Sequence, residues 1–197
     1  LTVPADLPPG MYAINLEVLD GGKRLPIQRE GLARPIFPEK SVVLGPAFVG
    51  RGDPVTEDRV VVPSRRQANL ENKVALLGYG LALGPRYLDL TTYCKALSVI
   101  REDYSIFAHL TDNEDRALTK NDLQPEGNPY PTTLWRPGEV VSVPFHFDLP
   151  PDFAPEGHRL AIGFYTPDNF RRLSVLDPAG HPFTDTIFLR LAPSSKE

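Results

Sequence analysis

The residues best equipped to do chemistry in this chain fall in two stretches. One runs from Asn128 to Glu139, NPYPTTLWRPGE, and holds the only tryptophan. Trp135 and Tyr130, set among Pro129, Pro131 and Pro137, would form a rigid aromatic platform on which a sugar ring stacks, with Asp122 and His109 as hydrogen-bonding neighbours. The same residues also read as a plug, because a lone tryptophan in an all-β module commonly anchors one end of the core. Exposure of Trp135 separates these readings. The second stretch, from Asp112 to Asp122, offers Asp112, Glu114, Asp115 and Asp122 as oxygen ligands for a hard cation such as calcium. Their spacing is not that of an EF-hand, and a solvated hairpin loop is the expected reading.

Catalytic patterns are thin. His109, His146, His158 and His181 show no metal-ligand spacing, and the single cysteine, Cys94, makes neither a disulfide framework nor a metal site by itself. No Gly-x-Ser-x-Gly elbow and no Cys/His arrangement presents a nucleophile with its base. Paired carboxylates for glycoside hydrolysis would need a fixed separation that a sequence does not display. No catalytic residue, cofactor or metal is therefore expected. Arg51-Gly52-Asp53 matches an adhesion tripeptide, but Gly-Asp-Pro is ordinary turn chemistry.

The elements that would position these residues follow from composition and periodicity. A chain of 197 residues with 41% hydrophobic and 23% charged content can bury a core. Its 22 prolines are about twice the usual ~5% and are spread along the chain, as many short strands separated by turns would require. A net charge of −4 and the lack of a basic stripe argue against nucleic acid as a partner. The longest apolar run, Val74 to Leu83, is too short to span a bilayer and carries two glycines. No charged-then-apolar leader is visible at Leu1, and the chain is expected to be part of a longer protein.

Strand signals dominate. Met11 to Leu19 alternates, placing Tyr12, Ile14, Leu16 and Val18 on one face, and Asp20-Gly21-Gly22 predicts a hairpin returning through Lys23 to Ile27. Ser41 to Val49 reads as another strand. From Gln67 onward come Val74–Leu81, then Tyr87–Leu97 with Leu88, Leu90, Thr92, Cys94 and Ala96 inward, then Tyr104–Thr111 as its neighbour. Val141, Val143, Phe145, Phe147 and Leu149 keep a period of two, with Pro144 on the opposite face predicting an edge strand or a bulge. Leu160, Ile162 and Phe164 mark the next strand, and Ile187, Leu189 and Leu191 the last.

Val3 to Asp20 aligns without a gap on Leu149 to Thr166 at a constant offset, with Arg24-Leu25 and Arg172-Leu173 following each presumed turn. The expected fold is thus all-β: an immunoglobulin-like antiparallel β-sandwich, one complete module preceded by the C-terminal half of a similar one. Residues 1–49 form the closing half, 50–66 a linker and 67–197 the complete module. A half-sandwich exposes apolar surface, which makes residues 1–49 the expected site of self-association.

A set of short motifs extends the reading. Leu76-Leu77-Gly78-Tyr79, Leu90-Thr91-Thr92-Tyr93, Asp103-Tyr104 with Phe107 to Asp112, Tyr130-Pro131-Thr132 with Trp135, Pro137-Gly138-Glu139, Gly163-Phe164-Tyr165 and Arg172-Leu173 stand in one order. Together, over about Gln67 to Leu191, they resemble the soluble β-sandwich that follows the membrane part of bacterial glycosyltransferases of the dolichyl-phosphate-mannose mannosyltransferase type. Leu1 to Asp20 resembles the end of a preceding copy. Tyr93-Cys94 and Gly157-His158-Arg159 depart from the pattern. The resemblance implies an extracytoplasmic, non-catalytic accessory module at a bacterial membrane or cell surface. Its expected partner is a glycan or polypeptide acceptor, and it would meet a membrane only through other parts of the parent chain. A structural spacer in a string of repeats is the alternative, and a glycoside-acting enzyme a third class.

Overall fold

The computed structural model describes residues 10–25, 42–49, 53–125 and 130–191. The chain divides into two compact units, Leu1–Asp53 and Pro54–Glu197. The first contains β1 (Gly10–Leu16), β2 (Leu19–Asp20), β3 (Lys23–Arg24) and β4 (Val42–Val49). β1 pairs antiparallel with β4, and β2 with β3. The β2–β3 turn places Gly21 and Gly22 at φ 53° and 83°, the two positive values a type I′ hairpin needs and glycine supplies without strain. Arg51 and Gly52 of the adhesion-like tripeptide lie outside the described residues.

The second unit is an antiparallel β-sandwich. Its strands are β5 (Ser64–Leu70), β6 (Val74–Leu83), β7 (Tyr87–Ala96), β8 (Ser105–Asp112), β9 (Ala117–Leu123), β10 (Val140–Asp148), β11 (His158–Tyr165), β12 (Val175–Leu176), β13 (Pro182–Thr184) and β14 (Ile187–Arg190). One sheet has the order β10-β7-β6-β5-β12-β13, the other β14-β11-β8-β9. Reading β6, β7 and β10 as strands A, B and E, and β14, β11, β8 and β9 as G, F, C and C′, gives the immunoglobulin-type arrangement, with β5, β12 and β13 added beyond strand A. Inward side chains of both sheets form one core, including Leu76, Leu90, Phe145 and Phe147 from one and Ile106, Leu110, Ile162 and Leu189 from the other.

Two expectations change. The segment Tyr104–Thr111 was expected beside Tyr87–Leu97, but β8 lies in the opposite sheet, between β11 and β9. The chain crosses over through residues 97–104, where Ile100 and Tyr104 bury and draw the connection across the end of the core. Residues 54–66, expected as linker, belong to the second unit. Val62 packs with Leu77 and Val140, the Val140 N–H donates to the Val55 carbonyl, and β5 already begins at Ser64. Pro144 sits in β10, which is an edge strand with unbroken register against β7, so the missing N–H removes no ladder bond.

The repeat has a counterpart in backbone pairing. Ile14↔Leu44, Asn15↔Val43 and Leu16↔Val42 in β1–β4 match Leu160↔Leu189, Ala161↔Phe188 and Ile162↔Ile187 in β11–β14. Beyond each first strand, Leu19↔Arg24 matches the bridge Tyr165↔Arg172. The Leu25 N–H to Val18 carbonyl bond (2.8 Å) likewise matches Leu173 to Phe164 (2.9 Å). The two hairpins share one register, with two residues inserted at the second turn.

Candidate functional site

Trp135 is 2% exposed, so no ring can stack on it in this arrangement. Its indole N–H donates to the Tyr130 carbonyl (3.1 Å), and its ring meets Phe164 edge-on at 6.2 Å. Tyr130 turns its hydroxyl to the buried Glu139 carboxylate (2.8 Å), which also accepts from the Arg136 N–H (2.8 Å). Thr132 latches the segment to the β7–β8 connection by accepting from the Tyr104 N–H (2.9 Å). The stretch closes one end of the core.

The acidic stretch is not one loop. It begins with a tight turn at the end of β8, and residues 117–122 are strand. In the turn Asp112 accepts from the Arg116 guanidinium (2.8 Å) and from the Glu114 and Arg116 N–H groups. Arg116 holds the Asp112 carboxyl below its usual range. Glu114 pairs with Arg116 and Asp115 with Arg159. These carboxylates face cations of the protein, and Asp122 faces elsewhere.

Asp122 and His109 do come together, on the outward face of the four-stranded sheet. Strand parity puts them there: Ile106, Ala108 and Leu110 point into the core, so Phe107 and His109 point away. Asp122 stands opposite Phe107, Gly163 is across from Phe107 on the other side, and Tyr165 is across from Ser105. His109 Nε2 lies 2.6 Å from Asp122 Oδ1. The Tyr165 hydroxyl donates to Asp122 Oδ2 (2.9 Å), accepts from Gln124 Nε2 (2.6 Å), and Gln124 Oε1 accepts from the Ser105 hydroxyl (2.6 Å). Of the four residues expected to make one site, His109 and Asp122 therefore lie on one side of the sheet, while Trp135 packs on Phe164, an inward residue of β11. The sheet separates the pairs.

Aromatic rings surround this network. Phe107 is 1% exposed although it faces outward, with the end of its ring in the space a side chain at Gly163 would fill. A Cβ at Gly163 would stand 2.6 Å from the Phe107 ring. The Arg172 guanidinium covers the same ring at 4.7 Å, held by Thr186 (2.9 Å) and Asp185 (3.3 Å). Phe170 stacks on Tyr165 with centroids 5.8 Å apart and an interplanar angle of 25°. It is 74% exposed and sits at φ 56°, a left-handed backbone that a bulky residue adopts only when its surroundings impose it. Here Asn169 imposes it: its side-chain oxygen takes the Thr166 hydroxyl and the Arg171 N–H (2.9 Å), while the Phe170 N–H donates to the Thr166 carbonyl (2.9 Å). An aromatic ring is thereby held largely in water, stacked on the tyrosine whose hydroxyl reaches Asp122.

Reasoning from sequence did not assemble Phe107, Gln124, Tyr165, Phe170 and Arg172 into a site. A signal existed in Ser105 to Thr111, where apolar residues occupy both parities of a strand, so that Phe107 must lie on the face opposite the core. Phe170 gave none, since its exposure depends on a turn conformation.

A wide groove of about 1050 Å³ also runs past β5, β12 and β13, with Lys95, Leu97, Pro178 and Phe183 in its walls. Its Lys95 is paired with Glu57 (3.3 Å).

No family profile and no curated protein matches the chain. Among solved structures, a domain of the outer membrane lipoprotein Omp28 from Porphyromonas gingivalis is similar at 12% identity and a TM-score of 0.36. The match covers 73% of this chain and 100% of that one, and it is too distant to carry an argument about function. Among the described residues no helix is long and apolar enough to cross a membrane.

Proposed function

We propose that this chain is a non-catalytic β-sandwich module that contacts glycan through the outward face of β8, β9 and β11. The observation that carries the reading is Phe170, an exposed ring on an imposed left-handed backbone, one ring away from the Asp122–His109 pair. Sugar-binding surfaces need an apolar ring face for the pyranose C–H groups and fixed polar atoms at its rim for the hydroxyls. A non-catalytic reading is favoured by the partners of Ser105 and His109: the Ser105 hydroxyl donates to Gln124 and His109 Nε2 is engaged by Asp122, so the two do not form a nucleophile–base pair with each other. Cys94 is buried in the core, where desolvation pushes its thiol up to about 12, far from a reactive thiolate. The motif order from Gln67 to Leu191 supports an extracytoplasmic setting as the accessory module of a membrane glycosyltransferase or cell-surface protein. A glycan array with the protein and Phe170→Ala tests the reading. Binding that the variant loses while its melting temperature is unchanged supports it, and identical array signals from both proteins exclude this face.

A structural spacer is the second reading, favoured by the shared register of the β1–β4 and β11–β14 hairpins. A spacer built from repeats self-associates through residues 1–49. Light scattering of the full chain against a chain beginning at Pro54 tests it: association lost with the first unit supports the spacer, and monomers in both cases oppose it.

A further inference from the structure

Among the described residues, four other than glycine take a positive φ: Glu71, Asn72, Asp115 and Phe170. Asn and Asp tolerate that backbone, but Glu71 at 49° in the β5–β6 turn and Phe170 at 56° hold it only because their surroundings impose it. The two are tied together. Residues 166–174 carry the chain from β11 in one sheet to β12 in the other, and Phe170 lies at the tip of that crossing. The tip closes on itself, since the Thr166 N–H donates to the Arg171 carbonyl (3.0 Å). Asn169 sets the conformation inside the tip but not where the tip stands against the sandwich. Arg171 reaches out for that purpose: its guanidinium donates to Glu71 Oε1 (2.8 Å), 100 residues away in sequence.

Glu71 is held as a fixed post. Its N–H donates to the Ser174 carbonyl (3.1 Å) and its Oε1 accepts from the Ser174 N–H (3.1 Å), so it clasps the far leg of the same crossing. Behind it, Lys73 Nζ donates to Glu71 Oε2 (3.3 Å) and to the hydroxyl of Tyr104 (2.7 Å), a residue 1% exposed. The tip is thereby anchored to the end of the core. Three consecutive residues dock in three directions: Phe170 on Tyr165, Arg171 on Glu71 and Arg172 over Phe107. The middle one reaches the turn of the six-stranded sheet.

We propose that Glu71 is a positioning residue for the Phe170 platform: through Arg171 it holds the tip so that the ring stays stacked on Tyr165 and open to a ligand on its other side. This deepens the glycan reading above and rests on it. Glu71 acts through Arg171 and touches no ligand itself.

Hydrogen exchange of the Phe170 amide, which donates to the Thr166 carbonyl, reads the tip directly. The full native chain is compared with Arg171→Met, which keeps the stem and drops the charge, Arg171→Lys, which restores the charge, and Glu71→Gln, which keeps an acceptor for Ser174. Each is also read on one printed array of glycans. Expected is exchange at Phe170 about fivefold faster in Arg171→Met and Glu71→Gln, the size of a lost, partly exposed ion pair. Arg171→Lys should return it toward the native rate, and the amides of Leu160 to Phe164 should not change in any variant. Array signals should fall by a similar factor and recover with Arg171→Lys. Unchanged Phe170 exchange in Arg171→Met and Glu71→Gln, or exchange that rises equally throughout β11, overturns the inference and leaves the glycan reading standing. Faster exchange with full array binding means that the ring need not be held, and overturns it too. A native chain that binds no glycan overturns the glycan reading, while exchange still decides whether Glu71 holds the tip. Should Glu71→Gln fail to fold, the two Arg171 variants decide.

Discussion

The two aromatic–carboxylate clusters of the sandwich use similar parts to opposite ends. In one, Tyr130, Trp135 and Glu139 turn inward: the indole is sealed and the carboxylate is saturated by Tyr130 and the Arg136 N–H. In the other, Phe107, Tyr165, Phe170, His109 and Asp122 turn outward, and the ring at the rim is open. Composition does not distinguish them. The difference lies in strand parity and in one turn, because β8 and β11 send alternate residues to opposite faces and Asn169 fixes Phe170 outside. A cluster of rings and acids is a plug or a platform according to which side of a sheet its backbone selects.

Truncation should separate the clusters most sharply. Trp135→Ala empties a fully enclosed site and is expected to cost about 3–5 kcal/mol, visible as a large fall in the urea midpoint. Phe170→Ala removes an exposed ring and should change stability by no more than about 0.5 kcal/mol. Comparable losses from both would mean that Phe170 is structural and the contrast is false. Next in size is Gly163→Ala. Its methyl would collide with the Phe107 ring, and the expected cost is about 1–3 kcal/mol. Because Phe107 carries the floor of the outward cluster, glycan binding should fall with it, whereas the Trp135 end should keep its fluorescence spectrum. Smaller still is Phe170→Gly. Glycine takes φ 56° without strain, so a gain of up to about 1 kcal/mol in a thermal melt is expected, together with weaker binding. A loss of stability would show that the Tyr165 stack outweighs the backbone strain.

The sandwich itself was legible before any coordinates, since strict alternation at Leu88–Ala96 and Val143–Leu149 announces which residues face a core. Asn15, Leu16 and Leu19 could even be laid on their counterparts in β11. Less legible was the crossing of the chain between sheets after Ala96. Local periodicity is the same whether Tyr104–Thr111 joins its neighbour or faces it, and only the burial of Ile100 and Tyr104 across the core end decides. For the candidate site, His109 and Asp122 were singled out from their residue types, but grouped with Trp135. Grouping requires the β8–β9 register, which no short-range pattern encodes. Phe170 depends on a backbone dihedral set by the Asn169 side chain, a contact visible only in three dimensions.

Two histidine–aspartate pairs carry the comparison to its finest scale. His109 meets Asp122 across β8 and β9 on the partly covered outward face, whereas His146 meets Asp89 (2.5 Å) across β10 and β7 in open solvent, with Asp148 at 3.6 Å and Tyr87 stacked on its ring. The hydrogen bond that His146 Nδ1–H donates to the Asp89 carboxylate raises the His146 pKa above its ordinary value. The sign follows: a raised folded-state value means that protonated His146 favours the folded chain. That contribution is full below the ordinary imidazole range and is lost as pH rises through the shifted value. Since the ring is exposed, solvent screens the pair and the change in stability should be the smallest effect predicted here. The clean readout is an NMR titration of the His146 ring protons, expected to show an upshifted midpoint that Asp89→Asn returns toward ordinary. An unchanged midpoint in that variant would transfer the shift to Asp148. A matched shift in glycan binding over the same pH range would tie the edge strand to the outward face of the other sheet, which the separation of the two sheets argues against.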